Sequence, residues 1–375
     1  MTHKGLLKAV IITVVFLAAG MAAEGKTKVT SQPFGKLPDG TAVELFTLSD
    51  GAFEAQVATY GGVLVSFKGP DHSGKSGDVV LGFDNVDGYV GNFNGPSNAF
   101  FGAIIGRYAN RIAHASFTLD GKKYSLPQNN GENTLHSGPH GFNNVVWKAK
   151  QVANGVELSY ASKDGDAGFP GNLTATVTYT LVKGDLRMEY SATTDKDTVV
   201  NLTNHAYFNL AGTGDILNHQ FMLKASHFTP VDSGLIPTGE LKPVESTPFD
   251  FRKATAVGAR INADDAQLKL GRGYDHNWVL DNQSGKLAEA AELYDPSSGR
   301  VLKVMTDQPG IQFYSGNFLD GSVKGKGGTP YQQHAALCLE TQHYPDSPNH
   351  PAFPSTELKP GKKYHTVTVY SLSSR

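Results

Sequence analysis

Residues 173–190, LTATVTYTLVKGDLRMEY, alternate apolar and polar side chains on both sides of a short turn at Lys183-Gly184-Asp185. Every second position is apolar: Leu173, Ala175, Val177, Tyr179, Leu181, Leu186, Met188 and Tyr190. Successive side chains of a strand point to opposite faces of its sheet, so this period of two predicts a pair of antiparallel strands with one apolar face.

The same pattern continues along most of the chain. Residues 117–126 alternate around Asp120-Gly121, which is typical of a hairpin, and residues 366–370 read as a last strand. Helix signals are confined to short pieces near 86–90 and 263–268. With 42 Gly, 19 Pro, 20 Phe and 15 Tyr, the composition suits short strands joined by tight turns. We therefore expect an all-β fold, a large antiparallel β-sandwich with few short helices.

Residues 30–375 contain no Pro- or Ser-rich linker and no low-complexity tract, so we expect one domain. The charges are nearly balanced, with 33 Lys plus Arg against 35 Asp plus Glu, and no basic stripe occurs. This argues against a nucleic acid partner and favours a neutral, polar small molecule. The oligomeric state is left open.

The first residues read as a targeting signal. His3, Lys4 and Lys8 precede the apolar run 9–19, AVIITVVFLAA, and small residues follow. This predicts a signal peptide at 1–23 and export, into the periplasm, with no stable membrane association after the leader is removed. An uncleaved anchor is the alternative. Cys338 is the single cysteine, so an internal disulfide is excluded.

Glu340 follows the apolar run 335–339, AALCL, which reads as a core strand. Burial of an ionised carboxylate is costly and tends to raise its pKa, which suits a general base. A structural ion pair with an arginine is the alternative.

His205 lies within residues 199–212, VVNLTNHAYFNLAG, among amides and aromatic side chains. We interpret it as a histidine on a strand. Such surroundings suit a hexose, which has apolar C–H faces and a rim of hydroxyls, and a pKa near neutrality suits proton donation. A core histidine bonded to a carbonyl is the alternative.

Four further segments hold polar candidates: Asn110 and Arg111, His136, Asp275, and Gln312. Arginine offers planar donors for a hydroxyl or a carboxylate, and Asp275 lies in a polar loop entering a strand. His136 and His140 have a helical zinc spacing, but Gly138 and Pro139 prevent the helix, so we expect no metal. Dinucleotide, phosphate-binding and serine-hydrolase motifs are missing from the sequence, so we expect no cofactor.

Taken together, seven ordered segments resemble the aldose 1-epimerase family of galactose mutarotases. They are 106–112 (GRYANRI), 135–138 (LHSG), 164–173 (DGDAGFPGNL), 203–210 (TNHAYFNL), 274–277 (YDHN), 310–318 (GIQFYSGNF) and 339–342 (LETQ). The resemblance implies a β-sandwich with a sugar cleft on one sheet. It also implies roles: Glu340 as general base, His205 as general acid, and Arg111, His136, Asp275, Asn110 and Gln312 as groups that bind the sugar.

The expected function is that of an isomerase, which interconverts the α and β anomers of free aldohexoses such as glucose and galactose by opening and reclosing the ring. A protonated His205 is needed, and a nearby carboxylate such as Asp275 would favour its cation. Two alternatives stay open: a glycoside hydrolase with Asp275 and Glu340 as paired carboxylates, and a noncatalytic exported sugar-binding protein.

Overall fold

The computed structural model describes residues 1–2, 27–96 and 98–375, so most of the predicted signal peptide lies outside the described residues. The strands in this part of the chain are β1 (Lys28–Lys36), β2 (Ala42–Asp50), β3 (Phe53–Ala58), β4 (Leu64–Pro70), β5 (Ser76–Asp78), β6 (Ile104–Ile105), β7 (Arg111–Ile112), β8 (Ser116–Leu119), β9 (Lys122–Ser125), β10 (Thr134–Leu135), β11 (Lys148–Val152), β12 (Gly155–Ser162), β13 (Leu173–Val182), β14 (Asp185–Thr194), β15 (Thr198–Val199), β16 (Thr203–Asn204), β17 (Tyr207–Phe208), β18 (Gln220–Leu223), β19 (Ala225–Thr229), β20 (Lys242–Pro243), β21 (Thr255–Ala256), β22 (Asp275–Leu280), β23 (Ala288–Tyr294), β24 (Arg300–Thr306), β25 (Gly310–Tyr314), β26 (Leu337–Gln342), β27 (Glu357–Leu358) and β28 (Tyr364–Ser374).

Helices are few and short among the described residues. The α-helices are α1 (Val86–Phe93) and α2 (Ala266–Gly271). Single 3-10 turns occupy Ala113–Ala115, Gly138–His140, Phe142–Asn144, Asp166–Gly168, Val257–Ala259, Lys326–Gly328 and Ser347–Asn349. The helix expected near 263–268 begins later because Asp265 caps it, accepting from the Gln267 amide at 2.8 Å. No helix in the ranges that the structure describes is long and apolar enough to cross a bilayer.

Three antiparallel sheets carry the fold. A nine-stranded sheet has the order β11-β12-β13-β14-β28-β24-β23-β18-β21, a six-stranded sheet has the order β17-β26-β25-β22-β19-β20, and β1 to β5 form a five-stranded meander. The sequence prediction of an all-β sandwich is confirmed. The hairpin expected at 117–126 is β8 and β9, and the stretch 173–190 supplies β13 and the first part of β14.

The main core lies between the nine-stranded and six-stranded sheets. Phe221 of β18 meets Phe313 of β25 with ring centroids 4.6 Å apart, and Phe208 of β17 meets Tyr370 of β28 at 4.9 Å. The Tyr370 hydroxyl also donates to the Leu339 carbonyl at 3.2 Å. These contacts fix β26 and β25 against the opposite sheet.

β26 has two buried faces. Three of its residues face the core between the sheets: Leu337, Leu339 and Thr341, the last contacting Thr368 of β28 through hydroxyls 2.5 Å apart. The alternate residues face the other side: Cys338, Glu340 and Gln342. This strand therefore holds Glu340 away from the main core but still buried.

Candidate active site

A cleft of about 920 Å³ opens on the outer side of the six-stranded sheet. All the predicted site residues except Gln312 line it: Asn110, Arg111, His136, His205, Asp275 and Glu340. Gln312 is cross-strand partner to Glu340 in the sheet and is connected to the cleft through Asp275. The structure therefore brings together residues that are up to 230 positions apart in the sequence (340 − 110).

Glu340 lies inside β26, whereas the sequence placed it at the end of a strand, and only 2% of the residue is exposed. Its Oε1 lies 3.7 Å from His205 Nε2. Burial raises the pKa of this carboxyl well above its ordinary value; the negative charge of Asp275 adds to the shift and Arg111 opposes it. A carboxyl with a raised pKa beside an imidazole suits proton transfer near neutral pH.

His205 lies between β16 and β17, so the interpretation that it sits on a strand is wrong. Its backbone is held on both sides: the Gly102 amide donates to its carbonyl at 3.0 Å, and its own amide donates to Ala103 at 2.9 Å. The ring stacks on Tyr207, with centroids 5.2 Å apart, and on Phe100 at 5.8 Å. These contacts fix the imidazole plane against Glu340.

Burial lowers the pKa of His205 to about 4. The expectation that Asp275 favours its cation needs correction, because among the described residues the carboxylate within ion-pair distance of His205 is that of Glu340. Behind the ring, Cys338 Sγ lies 3.5 Å from Nδ1, and burial raises the pKa of this thiol well above its ordinary value. The thiol can donate to Nδ1 or accept from it, so this contact is compatible with either tautomer of the neutral ring, and Nε2 can take a proton from Glu340 when Nδ1 carries the ring's own proton.

His136 has a defined tautomer. The Asn110 backbone amide donates to its Nδ1 at 3.1 Å, and because an amide N–H can only donate, the neutral ring carries its proton on Nε2. Burial, followed by the charges of His205 and Arg111, lowers the pKa of His136 well below its ordinary value. His136 is therefore a neutral N–H donor in the cleft.

Arg111, Asp275 and Gln312 form a polar group on the other side of Glu340. Arg111 Nη2 lies 3.9 Å from Asp275 Oδ2, and Gln312 Nε2 donates to Asp275 Oδ1 at 2.8 Å. Asp275 begins β22 instead of lying in the loop before it. Burial raises the pKa of Asp275, while Arg111 and Gln312 oppose the shift. Asn130 also accepts from Arg111 Nε at 3.0 Å, which fixes the guanidinium.

A metal centre fits these residues poorly. His136, His205 and Glu340 do offer three ligand atoms within 4.8 Å of one another. However, metals bind the lone pair of an imidazole nitrogen, and the Asn110 amide occupies the Nδ1 lone pair of His136 and leaves the proton on Nε2. The expectation of no metal stays a prediction with this additional support.

Several residues of the cleft were not selected from the sequence. Phe100, Tyr207, Tyr314 and Phe318 add aromatic surface, and residues 232–236 form part of the rim. Tyr207, Tyr314 and Phe318 occur inside the quoted segments and Phe100 lies six residues before one of them, so their neighbourhood was a usable signal. Residues 232–236, DSGLI, predict only a turn, and nothing local indicates that this turn reaches a cleft.

The family model for aldose 1-epimerase matches residues 44–371. The chain belongs to this family. It is 45% identical over 348 residues to the galactose mutarotase of Bos taurus, covering 92% of this chain and 98% of that protein. It is 41% identical to the aldose 1-epimerase of Escherichia coli, covering 89% and 96%. The crystal structure of an aldose epimerase homologue from C. elegans superposes with a TM-score of 0.79 at 33% identity, over 86% of this chain and 96% of that one.

These comparisons confirm the resemblance, the fold class and the enzyme class predicted from the sequence. The protein is an isomerase of the mutarotase type. The domain boundaries and the role of each site residue stay predictions.

Proposed function

We propose that the cleft interconverts the α and β anomers of free aldohexoses, such as glucose and galactose, with Glu340 as general base and His205 as general acid. The observation that carries this proposal is the approach of His205 Nε2 to Glu340 Oε1, at 3.7 Å, on two buried side chains that line one cleft. The mutarotase relatives support the choice of substrate.

The two groups share one exchangeable proton in the active state. Burial raises the pKa of Glu340 and lowers that of His205, so before sugar binds the proton resides on the carboxyl. Sugar hydroxyls that bind both groups replace part of the lost hydration and favour the ion pair of carboxylate and imidazolium. The one proton shared by the pair then lets Glu340 act as the base and His205 as the acid, without proton exchange with solvent.

Ring opening follows from this ion pair. Glu340 takes the proton of the C1 hydroxyl, the C1–O5 bond breaks as the carbonyl forms, and His205 gives its proton to O5. Rotation about C1–C2 by about half a turn presents the other carbonyl face to O5. The ring closes when the two proton transfers run in reverse. Each positioned group contributes on the order of 10² to 10⁴ in rate.

Three buried groups orient the sugar in this proposal. Neutral His136 donates a hydrogen bond from Nε2, and Arg111 donates from its guanidinium. Asp275 accepts hydrogen bonds from sugar hydroxyls at the lone pairs of its carboxylate oxygens that Gln312 and Arg111 do not occupy. Phe100 and Tyr207 offer aromatic surface to the apolar ring face. Together these contacts hold C1 and O5 against the two proton-transfer groups.

We also propose that the protein is exported to the periplasm, where free sugars enter the cell. The support is the basic and apolar pattern of residues 1–23. Cell fractionation with N-terminal sequencing of the purified protein tests this: a cytoplasmic protein with an intact N-terminus would contradict it.

The activity is tested by polarimetry of freshly dissolved α-D-glucose and α-D-galactose. We expect faster approach to the unchanged equilibrium rotation with the purified protein, and loss of this acceleration in Glu340→Gln and in His205→Asn. Glu189→Gln and His365→Asn, on an exposed ion pair between β14 and β28, are matched controls that keep the activity. No acceleration by the wild-type protein would indicate a sugar-binding protein instead.

A further inference from the structure

Two amide side chains beside Glu340 have no role in the proposed reaction. Asn277 of β22 and Gln342 of β26 are at most 1% exposed, and both belong to the segments that first indicated the family. Gln342 lies two residues after Glu340 and therefore on the same face of the strand. Asn277 is the cross-strand neighbour of Gln312, which is the neighbour of Glu340.

Gly310 makes room for these amides. It is the cross-strand partner of Gln342, on the same face of the sheet as Gln312. A Cβ at position 310 would lie 2.6 Å from Asn277 Oδ1 and 2.8 Å from the ring of Tyr344. The Asn277 amide therefore lies directly over Gly310, and the Tyr344 ring covers the same point. Asn277, Gln312, Glu340 and Gln342 surround this glycine, and we call these four residues the amide patch.

The amide patch contains buried polar atoms that have no hydrogen-bond partner among the described residues: Asn277 Oδ1 and Nδ2, Gln312 Oε1, Glu340 Oε2, and Gln342 Oε1 and Nε2. Native proteins rarely leave such atoms unpaired, because each costs about 1–3 kcal/mol. Each amide carries both donor and acceptor groups, and the carboxylate accepts. A small molecule that both donates and accepts can satisfy all of them, and buried water fits these requirements.

We infer that Asn277, Gln312 and Gln342 hold a cluster of buried water molecules against Glu340 Oε2, and that these amides are positioning residues for the general base. Water held by the amide oxygens donates to Oε2, while Oε1 stays directed at His205. The inference deepens the proposed function and rests on Glu340 as the base.

Water held by the amide patch supplies hydrogen bonds that Glu340 Oε2 does not receive from the described residues. The titratable or charged groups around it come from several elements: His136, His205, Tyr207, Asp275, Arg111, Cys338 and Tyr370. Among these, Arg111 opposes the rise in the pKa of Glu340, and Asp275 adds to it. Hydrogen bonds from water to Oε2 stabilise the carboxylate without a second positive charge, so Glu340 stays buried and still ionises.

The test measures the protonation of Glu340 itself. Infrared difference spectra, each taken against the same protein with Glu340→Gln, separate the protonated from the ionised carboxyl over a pH series. Gln342→Met and Asn277→Leu keep the approximate shape but remove the hydrogen-bonding groups. We expect both to raise the midpoint of the Glu340 titration by about one pH unit, the effect of losing a hydrogen bond to a charged group.

Gln308→Met is the matched control. Gln308 is nearly as buried and has an unpartnered Oε1 among the described residues, but its Nε2 donates to Tyr364 and it lies outside the three strands β22, β25 and β26 that carry the amide patch. We expect no change in the Glu340 midpoint. A purely structural role for Gln342 would change the thermal stability without moving that midpoint, and such a result would overturn the inference.

Two further measurements decide the case. A high-resolution crystal structure of the full protein should contain ordered water within hydrogen-bond distance of Glu340 Oε2 and Gln342. The absence of electron density for water at the amide patch would refute the cluster. In turnover, we expect Gln342→Met to lower kcat at neutral pH several-fold and to leave KM nearly unchanged. Full activity of Glu340→Gln would instead refute the proposed function, while the infrared midpoint would still test the water.

Discussion

Glu340→Gln is expected to make the protein more stable while it removes the activity. The carboxyl of Glu340 is buried, and its pKa is raised well above the ordinary 4.5 in the folded state. A group whose pKa is higher in the folded state lowers the stability once the pH exceeds the unfolded value. The loss grows by about 1.4 kcal/mol for each pH unit until the pH reaches the folded-state pKa. Glutamine is neutral at every pH and avoids this loss.

The free energy of unfolding, measured by urea titration at half-unit steps from pH 4 to pH 8, tests this directly. We expect wild type and Glu340→Gln to be equally stable near pH 4, and the variant to gain the advantage as pH rises, before the difference levels off. Polarimetry on the same samples should show a loss on the order of 10² to 10⁴ in rate. Glu189→Gln is the control, because a hydrogen bond from His365 lowers the pKa of Glu189 and its replacement brings no such gain. A stability difference that does not vary with pH, or a variant less stable at neutral pH, would refute the reasoning.

Three other substitutions have defined outcomes. Cys338→Ala removes the group 3.5 Å from His205 Nδ1 and should lower kcat several-fold with little change in KM. Cys338→Ser keeps a donor and should retain most of the activity. Steady-state polarimetry measures both variants, and equal kcat values for the two would contradict this prediction. Gly310→Ala places a Cβ 2.6 Å from Asn277 Oδ1 and should cost about 1–3 kcal/mol in urea unfolding, so an unchanged midpoint would contradict the packing argument. Asp275→Asn removes a charged acceptor and should raise KM for galactose by roughly 10- to 100-fold, while a fall in kcat alone would instead indicate a role in proton transfer.

The sequence predicted the sandwich because its signals are local. The period of two in residues 173–190 determines which side chains share a face, and the structure buries that face. The turn at Asp120-Gly121 likewise needs only neighbouring residues to form. The start of α2 differed from expectation because the Asp265 cap decides it, and an aspartate is equally suited to a turn.

The sequence selected six residues that the structure places in one cleft, but it did not predict how they are arranged there. Glu340 and His205 were identified by residue type and neighbourhood, yet the sequence placed His205 on a strand and paired it with Asp275. Which carboxylate meets an imidazole depends on sheet order and register, and these are set by long-range packing that no local pattern encodes. The rim at 232–236 was missed for the same reason, because a loop joins a cleft only through the tertiary fold.

The alternation of β26 connects the stability of this protein to its chemistry. Leu337, Leu339 and Thr341 face the main core, so buried packing on the opposite side of the strand holds the backbone beneath Glu340. A general base on a packed strand keeps its position and does not have to reorganise during the reaction, which favours a high rate of proton transfer. The same rigidity means that Glu340 cannot turn outward to recover hydration. Its charge must be stabilised where it lies, by Arg111 at a distance and by the water that Asn277 and Gln342 hold on the same face of the sheet.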